Sequence, residues 1–268
     1  DSLAERVKGN REVDLIDIAV IRLPRISNFT DFNALEVIPG VSVRYVRTVK
    51  ELKNPDMIIL PGSKNTMEDL LWMRQNGLEA AILKKAGEDK IIFGVCGGYQ
   101  MLGETLSDPD GVESGGKMKG MGLLPMDTVF KGEKTRTRVE GRFLEVTGAL
   151  SALSQIELEG YEIHMGECAR KENAKPLVTI TDKVNGDSKA DGTYKDNVYG
   201  SYVHGIFDKE EVAEAVVTSI GKKKGLDVSE MTGVDFAEYK EKQYDLLADG
   251  LREYLDMEKI YKILEEGI

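Results

Sequence analysis

The chain has 268 residues, 41% hydrophobic and 31% charged, with a net charge of −11. That length accommodates one large domain or a domain with an appendage, and the composition suits a globular chain rather than a disordered one. The acidity argues against non-specific nucleic-acid or anionic-membrane partners, and no run approaches the ~18 apolar residues of a membrane span. No secretory signal is present, and two cysteines make no disulfide framework, so a reducing cytoplasm is the expected location. The chain starts at Asp1 rather than Met, which leads us to expect an excised or processed domain with a missing neighbour.

In chain order, residues 1–13 are polar and charged and read as a linker. Ile16 to Leu23 is almost wholly apolar, as an inner parallel strand would be, and Pro24 ends it. Ser27 to Phe32 reads as a loop with a helix cap at Thr30, ahead of a short helix through Glu36. Val41 to Thr48 alternates as a second strand, and Met57 to Leu60 is a third, stopped by Pro61-Gly62. Thr66 to Gln75 has helical period, Gly77 suits its C-terminal end, and Leu78 to Ala86 continues as a helix. Ile91 to Val95 then meets the small-residue cluster Cys96-Gly97-Gly98, followed by the helix-compatible Tyr99-Gln100-Met101-Leu102.

Asp108 to Gly122 reads as a loop. Met121 to Phe130, Arg138 to Val146, Ile156 to Cys168 and Leu177 to Thr181 have strand spacing and predict an antiparallel section. Val198 to Phe207 is the last strand. Lys209 to Lys222 is an amphipathic helix capped by Asp208 with Glu211, and Phe236 to Leu264 gives one or two more helices. The alternation predicts an α/β fold with a mostly parallel sheet, helices on both faces, an antiparallel β section and C-terminal helices. The expected organisation is a domain over 14–224 and a helical extension over 225–268 packed on it.

Cys96 sits where a buried strand turns sharply into a helix, the layout of a nucleophile elbow with sulfur replacing oxygen. The glycines allow a strained backbone, and the helix start favours thiolate, so a lowered thiol pKa is expected. A buried structural thiol has the same local pattern. A nucleophilic Cys96 needs a base. His204, in Tyr202-Val203-His204-Gly205, lies at a strand end that suits one, with a satisfied core histidine as the alternative. Glu162 and His164 share one strand face, to line a substrate side or to pair with each other. Pro61-Gly62-Ser63 and Cys96-Gly97-Gly98 both end strands, where α/β sheets bind ligands, and are expected to face one crevice. A zinc site from Cys96, Cys168, His164 and His204 lacks a second close ligand pair, so no metal is expected. Gly111 to Lys117 has the glycine–lysine core of a phosphate loop, but Met118 stands where Ser or Thr should hold magnesium, so this stretch is not expected to bind ATP. Lys222-Lys223-Lys224 reads as a solvated helix end.

Gly94-Val95-Cys96-Gly97-Gly98-Tyr99-Gln100 is similar to the nucleophile motif of class I (triad-type) glutamine amidotransferases, a flavodoxin-like α/β family. Four further stretches, Asn28 to Phe32, Leu60 to Thr66, Gly160 to Gly166 and Ser201 to Asp208, occur in the order seen in the cobyric acid synthases. The chain thus resembles the C-terminal glutaminase domain of that family over residues ~16–208. The resemblance implies that Cys96 attacks the side-chain amide of glutamine, that His204 relays the proton, and that a thioester and ammonia form. It implies an oxyanion site from the backbone of Gly97 and of the turn carrying Gly62 and Ser63, with Gln100 helping to hold glutamine. It further implies a missing N-terminal ligase domain that uses ATP and Mg to amidate a corrinoid acceptor, adenosylcobyrinic acid a,c-diamide, with no cofactor in this chain. One departure stands out. Many triad amidotransferases carry Glu two residues after the histidine, and here that position is Ile206. Glu162 and Asp208 are the candidate third members, unless a partner supplies one. Two other readings stay open: the glutaminase of a related ligase acting on cobyrinic acid or a cell-wall lipid precursor, and a non-catalytic domain with an unreactive Cys96.

Overall fold

Uninterrupted apolar runs form the inner strands of this protein, and glycines set where those strands stop. The computed structural model describes residues 14–229, 231 and 235–267; the linker expected over 1–13 lies outside the described residues. Strand β1 (Ile16–Ile21) is followed by β2 (Ile26–Ser27), a 3-10 turn over Phe29–Phe32, α1 (Asn33–Glu36) and β3 (Val41–Val46). Next come α2 (Val49–Leu52), β4 (Met57–Leu60), β5 (Gly62–Ser63), α3 (Thr66–Gln75) and α4 (Leu78–Gly87). Strand β6 (Ile91–Val95) leads directly into α5 (Gly97–Met101). The antiparallel section holds β7 (Thr105–Asp108), β8 (Gly116–Lys119), β9 (Met126–Phe143), β10 (Glu157–Arg170), β11 (Val178–Asp182) and β12 (Ser188–Asp191). The chain returns to the first sheet with β13 (Thr193–Lys195) and β14 (Val198–Ser201), then forms α6 (Glu210–Lys224).

The main sheet runs β13-β14-β6-β4-β1-β3 and is parallel except for the β13–β14 pair. Every residue of β1, β4, β6 and β14 is buried, so both faces of the sheet are covered. The α/β class is as the sequence pattern predicts. The second sheet runs β12-β11-β9-β7-β8 with β10 beside β9, and a two-stranded pair joins β2 to β5. That small pair aligns Ser27 with Gly62, which draws the loop after β1 over the carboxyl end of β4.

Several local expectations are corrected. The residue that precedes the 3-10 turn is Asn28, in a left-handed conformation without a side-chain capping bond, and Thr30 lies inside the turn. Asp208 does not cap α6; the cap position is Lys209, again without a side-chain bond. The last strand stops at Ser201, so His204 sits on the turn beyond it. The stretch after Asp108 is not all loop, because β8 pairs antiparallel with β7. Strand β9 is continuous where patterning splits it in two; Lys131 to Arg138 contains no buried residue, and such a segment gives no apolar signal.

The chain divides into two units, one ending at Gly233 and the other spanning Val234–Ile268. The first runs past residue 224, since Leu226 and Val228 pack against its core. The second contains α7 (Phe236–Tyr254) and α8 (Met257–Glu266), each started by an aspartate, Asp235 or Asp256, that accepts from a backbone N–H three residues on.

Packing of α5 on β4 sets a sharp test. A Cβ on Gly98 would overlap the Leu60 carbonyl, whereas one on Gly132 would meet nothing within 4 Å. Gly98→Ala is expected to destabilise the first unit by about 1–3 kcal/mol, several degrees in Tm, while Gly132→Ala stays within about 0.5 kcal/mol. Thermal unfolding of the two variants checks this, and equal midpoints would refute the packing assigned to α5.

Candidate active site

The site begins with an unusual backbone. Cys96 has φ 51° and ψ −109°, a combination most side chains avoid. Neighbours hold it there: its N–H donates to Ser201 O at 2.9 Å, and its carbonyl accepts from Gln100 N at 3.0 Å. The turn closes only because glycines flank it. A Cβ on Gly94 would lie 2.6 Å from Tyr99 Cα, and one on Gly97 would lie 2.9 Å from Ser63 N. The second approach brings the backbone after β4 against the backbone after β6, so the two strand ends lie side by side.

The Cys96 side chain is buried, with Sγ 3.7 Å from Ile163 O. Burial pushes its thiol up to about 12, the Gly97 backbone N–H offsets only part of this, and the nearby Asp31 charge adds to it. The lowered pKa expected from the sequence is therefore corrected. Helix α5 has five residues, too few for a useful terminal dipole, and desolvation dominates.

His204 follows β14, the parallel neighbour of β6, which sets it at the same end of the sheet as Cys96. It is fully buried. Its Nδ1–H donates to Asp31 Oδ2 at 2.7 Å, and Gly205 N donates to Asp31 Oδ1 at 3.2 Å. A carboxylate can only accept, so this contact takes its proton from Nδ1 and turns Nε2 away from Asp31. The Asn28 side-chain N lies 3.1 Å from Nδ1 and 3.0 Å from Nε2. An in-plane approach at those distances would collide with Cε1, so the amide sits over the ring face. Tyr161 stacks on the ring at 5.1 Å and 22°, and the main chains of Tyr161 and His204 exchange hydrogen bonds of 3.1 and 2.8 Å.

Residues 17–212 match the CobB/CobQ-like glutamine amidotransferase domain. The chain belongs to that family. Among curated relatives, it is 58% identical to a cobyric acid synthase of Ruminiclostridium cellulolyticum, over 100% of this chain and 52% of the relative. It is 50% identical to one of Lachnoclostridium phytofermentans, over 100% of this chain and 54% of the relative. The chain thus spans about half the length of the curated relatives it matches. Among solved structures, that of PurLQS from Thermotoga maritima aligns with a TM-score of 0.56 at 20% identity, over 78% of this chain and 99% of that one, a likeness of fold.

In this amidotransferase domain the acid on the histidine comes from a stretch the sequence reading did not use for chemistry. Neither Glu162 nor Asp208 is bonded to His204. Glu162 is buried against His164 Nε2 at 3.4 Å and Lys189 Nζ at 2.9 Å. Burial raises its pKa, but those two partners outweigh burial and hold it below the usual range. Asp208 lies near Gly205, 3.3 Å from where a Cβ there would be. Asp31 is 173 residues from His204, so no local spacing flags it; the available signal was that the Asn28 to Phe32 stretch is one of the matching motifs and Thr30 explains nothing in it.

The remaining expected residues have internal partners. The Ser63 hydroxyl donates to Asp69 Oδ2 at 2.7 Å and accepts from Asn65 N at 3.0 Å, so the hydroxyl serves the start of α3, while the Ser63 N and Cβ face Gly97. Gly62 lies under the imidazole, where a Cβ would come 3.0 Å from His204 Cε1. Gln100 is buried, accepts from Thr66 Oγ1 at 3.1 Å and donates to the Tyr202 hydroxyl at 3.1 Å. His164 stacks on Tyr202 at 3.8 Å, with Nδ1 donating to Gly166 O at 2.8 Å. Cys168 bonds to Thr128 and Tyr202 hydroxyls at 3.1 and 3.0 Å. Among the described residues no group of three or more His, Cys, Asp and Glu is placed to hold a metal ion.

The Gly111 to Lys117 loop has its amides occupied. The N–H groups of Val112, Glu113 and Gly115 donate to the Asp108 carboxylate at 2.7, 2.8 and 2.7 Å. Burial raises the Asp108 pKa, but these bonds outweigh it and hold it low. A carboxylate sits where a phosphate would have to go, so the loop does not fit a nucleotide.

The raised Cys96 thiol is testable. Carbamidomethylation of Cys96, mapped by mass spectrometry, is expected to accelerate with pH through pH 9 without a plateau. A plateau below pH 7 would show a resting thiolate and contradict the burial argument.

Proposed function

We propose that this chain hydrolyses glutamine to supply ammonia, as the glutaminase part of a cobyric acid synthase. The observation that carries this is the buried Asp31–His204 pair, with Nδ1 to Oδ2 at 2.7 Å, set at the same sheet end as Cys96 on its strained turn, in a chain matched along its whole length by cobyric acid synthases.

A resting thiol, not a thiolate, must be activated at the moment of attack. Nε2 of His204 takes the Sγ proton as Sγ adds to the amide carbon of glutamine, and Asp31 stabilises the imidazolium through Nδ1. Backbone N–H groups of Gly97 and of the Gly62-Ser63 turn, which meet at the crevice, are suited to the oxyanion. His204 returns the proton to the departing nitrogen, ammonia leaves, and a thioester remains on Cys96. Water, deprotonated by His204, then releases glutamate. Gln100 is fixed by Thr66 and Tyr202, which leaves one carbonyl lone pair and one N–H for glutamine. Tyr161, Asn28 and Gly62 enclose the imidazole and hold its tilt.

The ammonia is consumed by the half of the protein that this chain does not span. That half activates carboxylates of adenosylcobyrinic acid a,c-diamide with ATP and Mg. Nothing in this chain's glycine loop fits ATP, so the nucleotide chemistry is assigned wholly to that half.

Ammonia release from glutamine tests the assignment. Cys96→Ala is expected to abolish it. Asp31→Asn is expected to lower kcat by about 10²–10⁴ with little change in KM, because the wrong tautomer follows from the lost acid. Asp208→Asn and Glu162→Gln are expected to stay within about tenfold of wild type. Turnover surviving in Cys96→Ala would reject the glutaminase reading. A full-rate Asp31→Asn beside a crippled Glu162→Gln or Asp208→Asn would reassign the third member.

A further inference from the structure

Cys168 takes no part in the proposed chemistry, yet it stands one hydrogen bond away from a residue that fixes Gln100. That residue is Tyr202, buried between two rings, with His164 stacked on it at 3.8 Å and Tyr99 edge-on at 5.3 Å. The Tyr202 main-chain N–H donates to Asp191 Oδ2 at 3.0 Å, so the ring is held from both faces and from its backbone. Its hydroxyl meets Gln100 Nε2 at 3.1 Å and Cys168 Sγ at 3.0 Å. Cys168 Sγ in turn lies 3.1 Å from Thr128 Oγ1, and Gln100 Oε1 accepts from Thr66 Oγ1 at 3.1 Å. Side chains from β9 (Thr128), β10 (Cys168), the turn after β14 (Tyr202), α5 (Gln100) and α3 (Thr66) thus form one continuous chain.

Counting protons gives that chain a direction. The amide nitrogen of Gln100 donates, so the Tyr202 oxygen accepts from it. The hydroxyl's own proton then goes to the Cys168 sulfur, and the thiol proton goes to Thr128 Oγ1. Burial pushes the Cys168 thiol up to about 12 and the Tyr202 hydroxyl well above its ordinary value, so both keep these protons. A Gln100 amide turned over would present its carbonyl to Tyr202 and need the hydroxyl proton, which Cys168 holds. Packing complements the bonding. A Cβ on Gly166 would come 2.2 Å from Gln100 Nε2, and the Gly166 carbonyl accepts from His164 Nδ1 at 2.8 Å. Gly166 fixes the place of that amide end, and the chain fixes which atom stands there.

We propose that Tyr202 and Cys168 are positioning residues for glutamine, acting through Gln100 by holding its amide in one orientation. This rests on the glutaminase reading above, which gives Gln100 its ligand. Turning the amide over would exchange the free carbonyl lone pair and the free N–H, and so offer the substrate a donor where it needs an acceptor. A space-filling role accounts for the Tyr202 ring but not for its hydroxyl, since a phenylalanine would fill the same slot between His164 and Tyr99. The hydroxyl and the thiol are polar groups kept away from water, and what they accomplish there is a directed bond to the amide.

The test measures glutamine affinity in a Cys96→Ala background, where no turnover interferes, by thermal-shift titration, which also reports whether each variant folds. Tyr202→Phe is expected to weaken glutamine about five- to tenfold and Cys168→Ala about threefold, as the loss of single buried hydrogen bonds does. Cys168→Ser, which donates and accepts at the same place, is expected to stay within about twofold of the parent. A double-mutant cycle decides the route: in a Gln100→Ala background Tyr202→Phe is expected to change affinity by less than about twofold. An undiminished effect of Tyr202→Phe in that background would overturn the assignment, because Tyr202 would not be acting through Gln100. So would unchanged affinity in both Tyr202→Phe and Cys168→Ala, a Cys168→Ser as weak as Cys168→Ala, or a parent that binds no glutamine. A wild-type chain that releases no ammonia, beside a parent whose glutamine binding follows the expected pattern, would defeat the hydrolysis and leave the positioning role standing.

Discussion

Everything at the active end of this molecule answers to one constraint, the backbone of Cys96. A side chain at φ 51° and ψ −109° costs of order 1–3 kcal/mol, and only surroundings that leave no alternative sustain it. Those surroundings are visible as glycines at four contacts. Gly94 lies under Tyr99, Gly97 against the Ser63 amide, Gly98 on the Leu60 carbonyl, and Gly200 against the Tyr99 ring. The result is a thiol held at the end of a buried strand with two backbone segments converging on it. Strain fixes where the sulfur is, and burial fixes what it is, a thiol rather than a thiolate.

In the proposed reaction a protonated Cys96 puts the demand on His204 as the base. His204 meets it by being held on every side. Asp31 grips Nδ1, Asn28 covers one part of the ring, Tyr161 stacks on it, and Gly62 makes room beneath. Three of those four come from segments joined by the small β2–β5 pair or flanking it. That two-stranded pair looks minor beside the six-stranded sheet, yet it carries the loop with Asp31 over the carboxyl end of β4, within hydrogen-bond reach of His204. The same logic of internal satisfaction explains the glycine loop after Asp108. Its N–H groups form an anion nest, and the chain fills the nest with its own carboxylate.

Much of this was legible in the sequence because it is local. The apolar run at Ile91 to Val95, the glycines after it and the helix-compatible Tyr99 to Leu102 state the strand, turn and helix together. The α3 bounds, Thr66 to Gln75, follow from period alone. The acid was not legible, because Asp31 and His204 meet through sheet topology and not through spacing. Asp208 drew attention because it is near in sequence, but α6 starts later than its capping pattern suggests, and the cap is Lys209. The sign of the thiol shift was misread for a similar reason: sequence reveals a helix start but not that the helix is one turn long and the sulfur enclosed. The middle of β9 was lost because Lys131 to Arg138 holds no buried residue; Thr135 to Arg138 pair with β10, and the pairing shifts register between Thr135 and Phe130.

The central claim is that Cys96 carries the glutamyl group while His204, oriented by Asp31, moves the proton. It is tested most directly by acid-quenching the chain during turnover of isotope-labelled glutamine and locating the label by peptide mass spectrometry. The account predicts a single glutamyl adduct, on the peptide containing Cys96, that disappears on mild alkaline or hydroxylamine treatment as a thioester must. Ammonia release with the label on another residue, or steady turnover with no covalent label trapped at any quench time, would contradict it.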